Sequence, residues 1–280
     1  MASAEPPRRI ALIVTTYNRP DALARVLAGC GAQTDRAFDV VVADDGSRDD
    51  TRVAVEAAAK VAPYPLRHVW HPDDGFRAGE IRNRGVLATD ADYLVFLDGD
   101  CVPRPDFVAR HRALAEQGRL VSGSRILLDE AMTHEVITRQ IDIHLKDRAY
   151  WFAAWRAGRI NKFLPLLVPG LRAPRTFKDT SLRGIKSCNL GVWRSDFERV
   201  NGFDQSFVGW GHEDADLAVR LYNAGVRRKR GFCATEVFHL WHREQSREQE
   251  SPNYQRMMAR RNTDIIRAET GLTELREQGA

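Results

Sequence analysis

The sequence predicts an α/β fold in which a mostly parallel central sheet carries helices on both faces. Two observations lead to this prediction. Between residues 9 and 98, short apolar runs alternate with segments whose apolar residues recur at helical spacing. The apolar runs are continuous rather than interrupted at every second position, which is typical of parallel strands buried on both faces.

The first strand and helix illustrate how each element is assigned. Residues 9–18 form an apolar run that ends in a polar turn. Pro20 and Asp21 then mark a helix start, because proline and an acidic residue are favoured in the first turn. The same criteria assign, in chain order, strands to 9–18, 38–47, 65–71 and 93–98 and helices to 19–30, 49–60 and 78–90. The regular alternation fades after about residue 125.

The composition is that of an ordinary globular chain. It has 280 residues, of which 43% are hydrophobic and 29% charged, enough for one large core. The net charge of +4 suits an anionic ligand, nucleic acid or an acidic membrane surface, and does not choose among them. The four cysteines are far apart, so neither a zinc site nor a disulfide framework is indicated and a reducing compartment is expected.

Nothing in the sequence predicts a membrane span. The N-terminus lacks an apolar signal core, and the apolar stretch 163–171 is too short and too interrupted by proline to cross a bilayer. We therefore expect a soluble or peripheral cytoplasmic protein.

Residues 133–186 are basic, with eleven Lys and Arg against four Asp and Glu. One interpretation is an amphipathic helix that covers the sheet and is followed by a loop. The other is a surface that meets an anionic acceptor or acidic lipid headgroups. Within this stretch, 170–184 has few apolar residues and is predicted to be a mobile loop that could serve as a lid.

Polar residues stand at the carboxyl ends of the predicted strands, where ligands bind in parallel sheets. They are Thr15, Tyr17, Asn18, Asp44, Asp45, Asp98 and Asp100. A carboxylate at Asp44 or Asp45 could accept a hydrogen bond from a base or a ribose hydroxyl. The alternative is an Asx turn followed by a helix cap at Ser47 or Asp49.

Asp98-Gly99-Asp100 follows a buried strand directly. In an extended segment, residues two apart point the same way, so both carboxylates could face one ligand. Two neighbouring carboxylates are costly to bury without a cation, and oxygen ligands suit Mg²⁺ or Mn²⁺. The alternative is a solvated turn, but the position after a buried strand favours a metal site.

Two downstream segments supply further candidates. Trp210 stands in a glycine-flanked turn before Glu213 and Asp214, which suggests a sugar-stacking aromatic beside a general base. The alternative for the acids is stabilisation of a helix N-terminus. His239 and His242 would share one face of a helix but not of a strand, and either could be a metal ligand or a structural histidine.

The strand ends lack the glycine-rich sequences of dinucleotide dehydrogenases and P-loop NTPases. Instead the motifs VTTYNRP, VVADDGS, RNRG, FLDGDCVP and GWGHEDADL, in that order, resemble those of a GT-A fold glycosyltransferase of family 2. The resemblance covers roughly residues 9–243. The segment GFDQSFVGWGHEDADL also resembles the C-terminal part of galactosyltransferase-like enzymes and chondroitin-polymerase-like modules.

The resemblance implies a role for each motif residue. Uridine would contact Thr15, Tyr17 and Asp45, with Asp44 nearby and Arg82 or Asn83 near the nucleotide. Asp98 would contact the ribose or the metal, and Asp100 would bind the metal. Asp214 would be the catalytic base, Glu213 would hold the acceptor or Asp214, and Trp210 would shape the acceptor site. His239 would be the third metal ligand, with His242 and His212 as competing candidates.

This sequence departs from the family pattern at one position. His212 stands where many galactosyltransferases have a second glycine before the Glu-Asp pair, which puts the donor and acceptor in doubt.

The implied activity is an inverting, Mn²⁺- or Mg²⁺-dependent transfer from a UDP-sugar. A hexose or N-acetylhexosamine would move to a hydroxyl of a glycan or glycolipid acceptor, such as a bacterial surface polysaccharide or lipopolysaccharide. A single GT-A domain over residues 1–280 is expected. Its parts would be a nucleotide-binding half (9–125), an acceptor-binding and catalytic half (126–245) and a C-terminal helical tail (246–280).

Two alternatives belong to other functional classes. A sugar nucleotidyltransferase would need a glycine-rich, basic phosphate loop after the first strand, which VTTYNRPDAL does not supply. A noncatalytic nucleic-acid-binding protein would fit the pI of about 9.0. However, the acids at the strand ends would repel a phosphate backbone, so we expect no nucleic-acid partner.

Overall fold

The computed structural model describes residues 5–167, 175–243 and 250–279. These residues form an α/β fold around a seven-stranded sheet, which confirms the predicted fold class. In the described residues the strands are β1 (Ile10–Thr16), β2 (Phe38–Asp44), β3 (Leu66–Trp70), β4 (Tyr93–Asp98), β5 (Cys101–Pro103), β6 (Arg119–Ser122), β7 (Ser124–Leu127), β8 (Asn189–Trp193), β9 (Arg227–Arg230) and β10 (Glu236–His239).

The helices lie between and after these strands. They are α1 (Pro20–Gly31), α2 (Asp49–Val61), α3 (Ala78–Leu87), α4 (Phe107–Leu114), α5 (Glu130–Thr138), α6 (Arg148–Arg156), α7 (Leu164–Leu167), α8 (Arg194–Arg199), α9 (Glu213–Asn223), α10 (Glu250–Arg260) and α11 (Leu272–Glu277), with a 3₁₀ helix at Ile143–Leu145. The strands and helices expected between residues 9 and 98 are all present, with shorter bounds where polar turns follow them.

The main sheet has the strand order β3-β2-β1-β4-β8-β6-β9. All neighbours run parallel except β8, which is antiparallel to both β4 and β6. The carboxyl ends of six strands and the beginning of β8 therefore meet at one edge of the sheet. This edge carries the candidate site.

A second sheet of three strands lies beside that edge, in the order β5-β10-β7. In its register Cys101 faces His239, and the amide of Leu240 donates to the carbonyl of Asp100 at 2.9 Å. This small sheet thus brings the Asp-Gly-Asp segment against a strand from much later in the chain.

Apolar cores fill the space on both faces of the main sheet. One core packs α1, α4, α5 and α6 against residues such as Leu12 and Val95, and the other packs α3, α8, α9 and α11 against Ile13 and Phe96. Alternate residues of each buried strand face opposite cores, so both faces of β1 and β4 are apolar. This explains why these strands are continuous apolar runs in the sequence.

The basic stretch 133–186 does not contain one long amphipathic helix. Its described residues form the end of α5, the 3₁₀ helix, α6 and α7, and the Trp151 ring of α6 stacks on Phe238 with centroids 4.1 Å apart. Of the loop expected over 170–184, the first residues lie outside the described part of the chain. Residues 175–184 run along the edge strand β9, where the amide of Arg228 donates to the carbonyl of Asp179. Closure of this loop as a lid stays a prediction.

A buried charge network holds α9 in place. Arg220, fully buried, donates to Asp216 at 2.8 Å and to the carbonyls of Val200 and Gly202. Asp216 also pairs with Arg260 of α10 at 2.9 Å. Since α9 begins with the two acidic candidates, this network fixes where their side chains lie.

Among the described residues, no helix combines the length and the apolar character needed to cross a bilayer.

We expect Arg220→Met to lower the free energy of unfolding by about 3–5 kcal/mol, because it leaves Asp216 buried without its closest partner. Chemical denaturation followed by circular dichroism measures the change. Arg52→Met is the matched control, since Arg52 pairs with Asp49 and Glu56 on the exposed face of α2. Equal losses in the two variants would contradict the assigned role of the buried network.

Candidate active site

The site is built where β1, β2 and β4 end side by side. In the register of the sheet, Thr16 faces Asp44 and Thr15 faces Asp98. After β4 the chain folds back, and the Gly99 amide donates to the carbonyl of Thr15 at 2.7 Å. A Cβ at Gly99 would lie only 3.0 Å from the Thr16 side chain, so glycine permits this close approach.

Arg82 of α3 joins three parts of the site. Its buried guanidinium donates to Thr15 Oγ1 at 3.1 Å, to Asp98 Oδ1 at 3.3 Å and to Glu213 Oε1 at 3.1 Å. Burial opposes the charge of Arg82, yet the carboxylates of Asp98 and Glu213 raise its pKa above the usual value. The side chain is therefore a fixed positive charge between β1, β4 and α9.

Glu213 and Asp214 are adjacent acidic residues at the start of α9. Asp214 accepts hydrogen bonds from the amides of Ser187 (3.2 Å) and Ala215 (2.7 Å). Burial raises the pKa of Asp214, and the positive charges of Lys186 and Arg82 oppose this effect. Burial, with the neighbouring Asp214, also raises the pKa of Glu213. A carboxylate with a raised pKa is a stronger general base than an ordinary surface aspartate.

His212 adopts the left-handed backbone conformation, with φ of +70°. This conformation favours glycine, the residue that the resemblance to galactosyltransferases implies at this position. The His212 ring lies 5.2 Å from the ring of Tyr254 on α10. His212 thus lies beside α10, whereas the other two candidate histidines lie at Asp100.

A second cluster surrounds Asp100. His242 Nε2 lies 3.2 Å from Asp100 Oδ2, and His239 Nε2 lies 3.7 Å from Asp100 Oδ1. The ligand atoms of Asp100, Cys101 and His239 all lie within 4.8 Å of one another. The two histidine rings are 5.2 Å apart, although His239 is the last residue of a strand and His242 lies beyond its end.

The chemistry of this cluster fits a divalent metal ion. Burial lowers the pKa of His239 to about 4, so the imidazole is neutral at pH 7 and its nitrogen can bind a metal. Burial raises the pKa of Cys101, whose side chain is hydrogen-bonded with that of Cys188, so the neutral thiol is favoured while no ion is bound. One carboxylate with one or two imidazoles suits a borderline ion such as Mn²⁺ better than Mg²⁺.

The two aspartates of the Asp-Gly-Asp segment have different partners. Asp98 is ion-paired with Arg82, whereas Asp100 faces His239 and His242. Asp100 is thus the better-placed metal ligand of the two, and a metal-binding role for Asp98 stays a prediction.

The ends of β1 and β2 form the other side of the site. Tyr17 is 44% exposed, and its hydroxyl donates to Asp73 at 2.9 Å. Asn18 accepts from the amide of Arg48, which ties the loop after β1 to the loop after β2. The ring of Tyr17 is thus exposed where β1 and β2 end.

Asp44 and Asp45 have separate roles in this region. Asp44 is fully buried and accepts from the Ser47 amide at 2.8 Å, as an Asx turn would, with His68 as its second partner. Asp45 accepts from the Arg77 amide and pairs with His71 at 2.8 Å. The hydrogen bond to the Asp45 carboxylate raises the pKa of His71.

The structure does not place Asn83 at the surface of the site. Its side chain is fully buried, donates to the carbonyl of Phe203 and accepts from the amide of the same residue. Asn83 therefore joins α3 to the segment before α9, and Arg82 is the residue of this pair that faces the site. Trp210 is half-buried in the turn before α9.

Sequence reasoning missed Lys186 and Ser187. They precede β8, whose antiparallel direction brings its beginning, rather than its end, to the edge where the site lies. A search for polar residues after strands passes over them. The polar run before the apolar segment NLGVW is the signal that could have identified them.

Two family models match consecutive parts of the chain. Residues 11–169 match glycosyl transferase family 2, and residues 173–243 match the N-terminal domain of galactosyltransferase. These matches confirm the resemblance drawn from the motifs, including its C-terminal part.

Curated relatives extend the comparison. Validoxylamine A glucosyltransferase of Streptomyces hygroscopicus subsp. jinggangensis is 30% identical over 230 residues, which cover 78% of this chain and 52% of the relative. Hyaluronan synthase of Pasteurella multocida is 27% identical over 77% of this chain and 23% of its own length. The chain thus spans about half, or less, of the length of these relatives.

Solved structures share the fold at low identity. A mannosyltransferase from Pyrobaculum calidifontis in complex with GDP-Man and Mn²⁺ matches with a TM-score of 0.57 and 20% identity, over 87% of this chain and 61% of that one. S. aureus TarS 1-349 in complex with UDP matches with a TM-score of 0.58 and 15% identity, over 95% of this chain and 68% of that one. Both likenesses support the GT-A fold.

We expect His239→Ala to weaken Mn²⁺ binding at least about tenfold, because it removes a neutral nitrogen ligand beside Asp100. Titration of the protein with Mn²⁺, followed by electron paramagnetic resonance of the free ion, measures the affinity. His242→Ala reports whether the second imidazole also binds. His212→Asn is the control, since asparagine tolerates the left-handed backbone, and it should bind Mn²⁺ as the unchanged protein does. Loss of binding in this control alone would assign the ligand to His212 instead.

Proposed function

The chain belongs to glycosyl transferase family 2, and we propose that it is an inverting, metal-dependent hexosyltransferase. It moves a hexose or N-acetylhexosamine from a UDP-sugar to a hydroxyl of a glycan or glycolipid acceptor. One observation carries the proposal: Arg82 joins the strand-end carboxylate Asp98 to Glu213, the neighbour of the proposed base, Asp214. Donor contacts and a general base are thereby held in one site.

The nucleoside half of the donor binds at the ends of β1 and β2. The exposed ring of Tyr17 and the polar groups of Thr15 and Asp45 supply its contacts, and Asp98 serves the ribose. The choice of uridine rests on the family motifs and on the TarS structure with UDP. The mannosyltransferase with GDP-Man makes guanosine the nucleoside to test beside it.

Asp100 and His239, with His242 beside them, would hold a divalent ion, for which their oxygen and nitrogen donors are suited. When bound, such an ion supplies positive charge that stabilises the diphosphate leaving group. Arg82 contributes a second, permanent positive charge behind Asp98.

The acceptor hydroxyl attacks the anomeric carbon from the face opposite the diphosphate. Asp214 takes the hydroxyl proton as the new carbon–oxygen bond forms, and UDP leaves with the electron pair of the broken bond. The amides of Ser187 and Ala215 fix the Asp214 carboxylate for this step. Glu213, held by Arg82, positions the acceptor beside it, and Trp210 shapes the acceptor side.

The proposed division of labour follows the two halves of one catalytic domain. Residues 9–125 supply the donor contacts and Asp100, and residues 126–245 supply Asp214 and His239. In the described part of the tail after residue 246, α10 packs on α9 and α11 packs on α3.

A donor panel tests this function together with its base. We expect slow, Mn²⁺-dependent hydrolysis of one UDP-sugar among UDP-glucose, UDP-galactose and their N-acetylated forms, with water in place of the acceptor. Asp214→Asn should lower that rate by about 10²–10⁴-fold, because the amide cannot take the proton. Calorimetric binding of UDP with Mn²⁺ should stay unchanged in this variant.

Asp90→Asn is the matched control, because Asp90 is exposed and precedes β4 at the opposite edge of the sheet. It should hydrolyse the donor at the rate of the unchanged protein. Near-normal turnover by Asp214→Asn would remove Asp214 as the base, and a panel without any hydrolysed sugar nucleotide would falsify the proposed activity.

We expect the acid limb of the pH–rate profile for donor hydrolysis to move to higher pH in Lys186→Gln. The base acts in its deprotonated form, and the positive charge of Lys186 lowers the pKa of Asp214. Removing that charge raises the pKa, so a higher pH is needed to deprotonate the base. Lys229→Gln, which breaks a surface pair with Glu116, is the control and should keep the profile unchanged. A shift to lower pH in Lys186→Gln would contradict the assignment.

A further inference from the structure

A basic pocket of about 360 Å³ opens over β6, β8 and β9. Five cationic side chains line it, and the exposed ring of Phe232 lies at its rim. The cations are Arg125, Lys162, Lys186, Arg228 and Arg230.

The positive charge of this basic pocket is not neutralised by ion pairs. Within the described ranges, none of the five cations has a carboxylate at ion-pair distance. Arg228 donates to Ser122 Oγ and to the carbonyls of Ser181 and Arg183. Hydrogen bonds to neutral groups fix the guanidinium but leave its charge uncompensated.

Arg230 and Lys162 of the basic pocket likewise have contacts only with neutral groups among the described residues. Among the described residues, the buried Nε of Arg230 has no hydrogen-bond partner, and its guanidinium lies over the ring of Phe177. Lys162 donates to the Ser124 hydroxyl, and burial lowers its pKa. A buried donor without a partner is rare, and here it lies in the wall of an open cavity.

The basic pocket adjoins the proposed active site on the side away from the nucleoside. Lys186 and Cys188 line it, and Ser187 between them donates its amide to Asp214. Cys188 is also hydrogen-bonded with Cys101, the residue after Asp100. In the sheet, β6 lies four strand positions from β2, or about 19 Å at ordinary strand spacing.

We propose that the basic pocket binds a phosphate group carried by the acceptor. This inference rests on the proposed function, since Asp214 beside the pocket is the base that would activate the acceptor hydroxyl. The donor diphosphate belongs at Asp100, between the nucleoside end and this pocket. A phosphate ester carries about −1.5 to −2 charges and several acceptor oxygens, which matches five cations better than a single carboxylate does.

The phosphate could belong to a soluble sugar phosphate or to a lipid-linked sugar. An apolar groove of about 730 Å³ shares Asn161 and Lys162 with the basic pocket and is lined by aromatic rings, including those of Phe152 and Trp155. A lipid chain next to the phosphate would contact this groove. The experiment therefore includes both sources.

Binding is measured with the whole chain at saturating UDP and Mn²⁺, so that the donor site is occupied. The probes are inorganic phosphate, a hexose 1-phosphate, and phosphatidylcholine vesicles with and without polyprenyl phosphate. We expect binding of at least one phosphate probe, weakened at least about tenfold in the double variant Lys162→Gln, Arg230→Gln. Binding of the hexose phosphate indicates a soluble acceptor, and binding only to the vesicles that contain polyprenyl phosphate indicates a lipid-linked one.

Two control variants distinguish loss of the phosphate site from misfolding. The charge-conserving pair Lys162→Arg, Arg230→Lys should retain binding, and Lys229→Gln, whose charge is already paired with Glu116, should bind as the unchanged chain does. The inference is overturned if no phosphate probe binds. It is also overturned if UDP and Mn²⁺ compete the probe away, since the pocket would then belong to the donor. Failure of the proposed function has its own readout, the absence of UDP binding and donor hydrolysis.

Discussion

The buried guanidinium of Arg82 is the interaction on which the site depends. A buried charge is costly unless partners surround it, and its partners here come from the end of β1, the end of β4 and the start of α9. Each of these elements is also fixed elsewhere, β1 and β4 by the sheet and α9 by Arg220 and Arg260. The Arg82 guanidinium therefore sets the distance between the ends of β1 and β4 and Glu213. The sheet and the charge network around α9 hold these elements in place.

The part of the fold before residue 98 could be predicted from the sequence because its signals are local. Strands such as β1 and β4 are buried on both faces, so they are continuous apolar runs, and each helix shows its apolar residues at helical spacing. Parallel strands bring their carboxyl ends to one edge of the sheet. The sequence alone therefore predicts that Thr15, Asp98 and Asp100 lie near one another. Motif order then identified the family, which the matching family models confirm.

The rest of the site depends on strand pairings between distant segments, which no local sequence pattern predicts. His239 reaches Asp100 because β10 pairs with β5, and the two residues are about 140 positions apart in the sequence. Lys186 and Ser187 reach Asp214 because β8 runs against its neighbours. Asn83 belongs to the same motif as Arg82, yet its position on α3 directs its side chain into the core. The assigned chemical roles of all these residues stay predictions until the variants are measured.

The three-stranded sheet has a consequence for the order of events during synthesis. Asp100 leaves the ribosome early, yet its partner strand lies beyond residue 235, so most of the chain has to be made before the two can pair. Pairing between distant segments is slow to form because a long loop must close first. The nascent first part of the chain thus carries its Asp-Gly-Asp turn without the two histidines until β10 and the residues after it have been made.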